Sequence, residues 1–119
     1  MATLLGFCRD NGIVCGWISG LGAFEKAEIG YYYLSHQQYD FKVFEEELEL
    51  TNLTGNIALD GDELVLHLHA TVGDRGFHAF AGHLKEATIG ASCEIYLTPI
   101  DARVTRTFDP EIGLKLLDL

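Results

Sequence analysis

Positive charge is scarce in this chain. Lys and Arg total 8 against 18 Asp and Glu, a net charge of −10, and the eight are spread from Arg9 to Lys115 without forming a stripe. A duplex-binding face needs clustered positive charge to displace condensed counterions, so direct nucleic-acid binding is not expected. Long apolar runs are absent too: none approaches the roughly 18–20 residues of a membrane helix. The N-terminus has no basic stretch followed by an apolar one, which points away from a signal peptide and toward the cytoplasm. Cysteines number three, Cys8, Cys15 and Cys93, with no C-x-x-C pair, and free buried thiols are expected. No G-x-G-x-x-G or G-K-[ST] pattern offers a phosphate cradle. No repeat, linker or low-complexity tract marks a boundary, so residues 1–119 read as a single domain.

What is present is a packed globular composition, 48% hydrophobic with a mean hydropathy of +0.12. Ala2 to Asn11 reads as a short helix with Leu4, Leu5 and Cys8 on one stripe and Gly12 as its left-handed stop. Strands are expected over Ile13–Ser19 and Ala27–Leu34, with the glycines of Ser19-Gly20-Leu21-Gly22-Ala23 permitting a turn or a bulge between them. In the second of these, Tyr31 and Tyr33 share a face and Tyr32 takes the other. Tyr39–Phe44 follows, then Glu45, Glu46, Glu47 and Glu49 interleaved with Leu48 and Leu50, the solvated side of a strand. Further strands are expected over Thr88–Leu97, Ala102–Phe108 and Leu114–Leu119, the last in competition with a helix starting at Pro110.

The stretch that organises the chain is Leu64 to His83. Side chains alternate along a strand, so Leu64, Leu66, Leu68 and Ala70 share one face while Val65, His67, His69 and Thr71 share the other. Two imidazoles two positions apart can lean onto one ion. The preceding hairpin, turning at Asp60-Gly61, is expected to set Ile57 opposite Leu64, Thr54 opposite His67 and Asn52 opposite His69. Amide and hydroxyl groups then lie beside the imidazoles, where they can orient them. The third ligand depends on parity. A two-residue loop at Asp74-Arg75 puts His83 on the wrong face, whereas an odd loop or one bulge brings it opposite His67 or His69. Spacing alone leaves His78 and His83 both open.

Several linked motifs carry a resemblance. SGLGAF (19–24) with IGYY (29–32), LTGNIAL (53–59), HLHA (67–70), and AGHL (81–84) with IGASCEI (89–95) resemble the plants-and-prokaryotes-conserved (PPC) domain over nearly the whole chain. The resemblance implies an α/β (α+β) fold, a largely antiparallel, strongly twisted sheet with one N-terminal helix packed on it, assembling as a homotrimer. It also implies His67, His69 and His83 as metal ligands, whereas His78 matches no motif position. The implied fold is similar to that of α-acetolactate decarboxylase, which holds zinc with three histidines from strands. Zinc or another divalent transition metal is therefore the expected cofactor, and a small-molecule ligand the expected partner beside the chain itself. Two features depart from the family: its usual N-terminal strand is missing, which can expose a sheet edge, and the Arg-Gly-Arg-Pro hook of plant members is absent. A trimeric metal-binding protein, with metal-bound water or a polarised carbonyl as the chemistry open to it, and a transcription-associated assembly module without catalysis are the two functions that follow. The sequence names no general base.

Overall fold

A computed structural model describes residues 1–118. One helix, α1 (Ala2–Asp10), precedes seven strands: β1 (Gly16–Tyr33), β2 (Gln38–Phe44), β3 (Leu48–Asp60), β4 (Glu63–Gly73), β5 (Ala79–Pro99), β6 (Thr105–Asp109) and β7 (Leu114–Asp118). The helix stops as its sequence requires: Asn11 N–H donates to Phe7 O, and Gly12 takes φ +65°. Its Cys8 is fully buried, and Met1 and Leu4 pack against the same core. The residues after Pro110 form a turn and strand β7, not a helix. Leu119, the last residue of the expected strand, lies outside the described residues.

The strands form one mostly antiparallel sheet in the order β2-β1-β5-β4-β3-β6-β7. Strand β1 also pairs with β3, so β1, β5, β4 and β3 close a ring of neighbours. The core fills it with Ile18, Phe24, Ile29, Leu48, Leu50, Leu53, Ile57, Leu68, Val72 and Leu84. Among the described residues, parallel pairing occurs only where Leu59 meets Thr105, joining β3 to β6.

Segments expected as separate strands join into two long strands, and at Gly20–Gly22 the bulge is realised in place of the turn. The segments Ile13–Ser19 and Ala27–Leu34 join in the 18-residue β1, with a register shift between Gly20 and Gly22. Gly22 has φ +153°, and a Cβ there would lie 2.3 Å from Ser92 O, so a side chain would push β5 away. Likewise Thr88–Leu97 continues from the His83 segment as the 21-residue β5. The glutamate run behaves as a solvated edge: Leu48 and Leu50 are buried, Glu46, Glu47 and Glu49 are exposed, and Glu45 pairs with Lys26.

The β3–β4 register differs from expectation by two residues. Asp60 pairs with Glu63, so Gly61-Asp62 is the loop, with the positive φ at Gly61 alone. Glycine at the first central position suits a II′ turn, in place of the I′ turn that Asp60-Gly61 would make. Thr54 thus faces His69 and Asn56 faces His67, while Asn52 pairs with Thr71 beyond a bulge. A shift of two keeps every side chain on its face.

Candidate metal centre

The parity question is settled by the β4–β5 loop. It spans five residues, Asp74 to His78, closed by hydrogen bonds from Asp74 N–H to His78 O and from Phe77 N–H to Asp74 O. Five is odd, so His83 lands directly opposite His69. His67 and His69 occupy the same face of β4. The three rings converge, with centroids 5.3 Å apart for His67–His69, 5.3 Å for His67–His83 and 5.7 Å for His69–His83. One ligand atom from each lies within 4.8 Å of those of the other two. His78 stays at the loop, exposed, with its backbone N–H and ring nitrogen on the two carboxylate oxygens of Asp74.

Neighbouring strands furnish the surroundings. Asn56 and Thr54 stand opposite His67 and His69, and Tyr39 on β2 lies against His83 with centroids 5.0 Å apart. Tyr39 can lie there because β1 has Gly30 at the crossing: a Cβ at Gly30 would sit 2.5 Å from the Phe41 ring and 3.0 Å from that of Tyr39. On the far side Arg106 of β6 donates through Nη2 to Asn56 Oδ1 at 2.7 Å. The strand pattern pointed to His67, His69 and Thr54, and the family resemblance to His83, whereas Asn56 as the partner of His67, Tyr39 and Arg106 were not singled out. The Gly30 of IGYY was a signal for the tyrosine. Nothing short-range marked the arginine, which reaches the site through the parallel β3–β6 contact.

The electrostatics favour neutral rings at His67 and His83. Burial, then the charge of Arg106 and the adjacent imidazoles, pushes His67 down to about 4. Burial and His69 also lower His83. Neutral imidazole is the form that ligates metal. The Nδ1 of His83 is buried with no hydrogen-bond partner among the described residues, a costly arrangement for a polar atom unless something outside the protein satisfies it. Tetrahedral coordination at 2.0–2.1 Å sets nitrogen atoms about 3.3 Å apart, so side-chain rotation of modest size closes the triad on one ion. A three-histidine group of this kind can hold a metal.

Residues 1–101 match the model of the Plants and Prokaryotes Conserved (PCC) domain. The chain belongs to this family. Solved structures similar to this PCC-domain chain extend over nearly all of it. A protein from Bacteroides thetaiotaomicron, provisionally described as DNA binding, is 37% identical with a TM-score of 0.95, the match covering 98% of this chain and 82% of the other. A metal-containing protein from Archaeoglobus fulgidus is 32% identical with a TM-score of 0.91, covering 97% and 81%. A plant- and prokaryote-conserved protein from Pyrococcus horikoshii is 28% identical with a TM-score of 0.91, covering 99% and 82%. No curated protein matches the chain. Among the described residues of this PCC-domain protein no helix is long and apolar enough to cross a membrane.

Proposed function

We propose that this chain is a metal-binding PCC-domain protein that holds one divalent transition-metal ion through His67, His69 and His83. The observation that carries this reading is the convergence of three imidazoles, with ligand atoms within 4.8 Å of one another, one of them on a ring whose Nδ1 has no partner among the described residues. Zinc is the favoured ion, because neutral imidazole donors in a three-ligand set suit it. The metal-containing relative from Archaeoglobus fulgidus supports the same reading. Bound through three protein ligands, such an ion acts as a Lewis acid on a small molecule or on water at a remaining position. His69 is exposed, which leaves the site open to a ligand from solution.

The protein acts as a single cytoplasmic domain assembled as a homotrimer. Support for self-association comes from the β1–β5 ribbon, where Trp17, Leu21 and Tyr96 stand 51%, 50% and 61% exposed. The Ser19↔Tyr96 pairing places all three on one face, an apolar patch of the kind that subunit contacts cover. The trimeric count comes from the family resemblance.

Metal analysis of untagged protein, before and after chelation, tests the metal assignment. One equivalent per chain is expected, with none in the His67→Ala, His69→Ala double variant. Metal-free wild-type protein that still assembles would instead favour a second reading, a transcription-associated assembly module. The relative described as DNA binding supports that alternative, while the net charge of −10 opposes direct duplex contact. Titration of a mixed-sequence duplex at increasing salt separates them: tight binding that weakens steeply with salt would overturn the charge argument.

A further inference from the structure

Besides His83 Nδ1, one other buried side-chain atom among the described residues lacks a partner: Nε of Arg106. The guanidinium is held from two sides, by Nη2 on Asn56 Oδ1 at 2.7 Å and by Nη1 on the carbonyl of Lys115 at 3.1 Å. Both acceptors are neutral. None of the ion pairs among the described residues includes Arg106. Asp60, whose charge acts on it, is bonded to Lys115 instead. A guanidinium carries five N–H donors and keeps its charge in proteins, so two bonds leave three donors and a full positive charge with no bonded counter-ion among the described residues. A half-buried charge in that condition is unusual, since buried charges are ordinarily paired.

Its position gives the surplus a meaning. Asn56 is the direct cross-strand partner of His67, so the guanidinium sits one side chain from the three imidazoles. A divalent ion there would add two further positive charges beside Arg106. Among the described residues, no carboxylate belongs to the triad or bonds to Arg106. Among the described residues, the site so formed holds no anion of its own.

We propose that Arg106 is a binding residue for the carboxylate of a small organic acid whose neighbouring oxygen reaches the metal. The inference rests on the metal reading of the three histidines. The carboxylate takes the donors that Asn56 and Lys115 leave free, with Nε turning to it, and a planar fork matches a carboxylate better than a point charge does. A purely structural Arg106, tying the β6–β7 hairpin to β3, would need only its Nη2 and Nη1 bonds. The remaining donors and the unpaired charge are what a clamp leaves unexplained.

Cobalt(II)-loaded protein titrated with lactate and with lactamide, followed by the visible cobalt bands, tests this. The two probes offer the same hydroxyl and differ in the charge beside it. Wild-type protein should favour lactate by about tenfold or more, as a charge-assisted hydrogen bond implies. Arg106→Gln should keep one cobalt per chain and lose most of that preference. Arg106→Lys, which keeps the charge without the fork, should fall between and carries the comparison alone where the glutamine variant misfolds. An unchanged lactate-to-lactamide ratio in the variants, with cobalt bound, overturns the role of Arg106 and leaves the metal site standing. Wild-type protein that takes up no cobalt removes both proposals together.

Discussion

The two faces of β4 are built to different tolerances. On one, Leu68, Ala70 and Val72 are buried to 2% exposure or less in the common core. On the other, His67 is half-buried and His69 exposed. The core face needs volume and apolar character, which neighbouring side chains can share and redistribute. The histidine face needs three rings to meet at one point, and no repacking substitutes for a wrong register. One strand thus carries stability on one side and chemistry on the other. The two are coupled only where the backbone spacing itself is set.

That coupling point is Gly55, and breaking it should have the largest effect. A Cβ at Gly55 would lie 1.9 Å from His67 O and 2.9 Å from Leu68 Cα, so the side chain meets backbone and not a movable tip. Gly55→Val is expected to cost more than about 3 kcal/mol, by forcing β3 and β4 apart. Urea denaturation measures it. A variant as stable as wild type would show that the close approach is not what holds the register.

Leu68→Ala attacks the core face alone. Leu68 is 1% exposed within the central cluster, and truncating such a side chain costs about 2–5 kcal/mol. In the fraction that remains folded, metal stoichiometry should be unchanged, because the three imidazoles lie on the opposite side. Loss of metal binding from folded Leu68→Ala protein would mean the faces are not separable.

The complementary change, His67→Ala with His69→Ala, should do the reverse. Neither side chain of the metal-free protein makes a hydrogen bond or ion pair among the described residues, so the apo stability should move by about 1 kcal/mol or less. Metal binding should vanish. Thermal unfolding in chelator checks the first part and metal analysis the second.

The asymmetry between faces also explains what could be read from the chain. Alternation made the core face of β4 legible, down to Leu68 and Ala70, because burial enforces a period of two. The histidine pair was legible for the same reason. The loop parity that brings in His83 was not, since it depends on Phe77 adopting φ +62°, a conformation that a phenylalanine does not announce. The motif resemblance identified the residue that periodicity left undecided. In β1 the glycines at positions 20 and 22 left a turn and a bulge both open, because local glycine signals do not distinguish the two. The contact of β6 with β3 is long-range and parallel, a single bridge at Leu59 and Thr105, so the sequence alone gave no reason to bring Arg106 to Asn56.

The smallest expected effect sharpens the comparison by titration. His67 is held at about 4 in the folded protein, mainly by burial, against about 6.5 in an unfolded chain. Between those two values the unfolded chain binds a proton at residue 67 that the folded chain does not. Stability therefore rises with pH across this window and is lost as pH falls through it. His83, lowered by burial and by His69, acts in the same direction. The chelated wild-type protein should lose melting temperature from pH 6.5 toward 4 more steeply than His67→Ala, the carboxylates common to both cancelling in the comparison. Core variants should shift the whole curve without altering that slope. Equal slopes for wild type and His67→Ala would place His67 in a more solvated setting than its packing indicates, and would weaken the case that its ring stands neutral and ready for an ion.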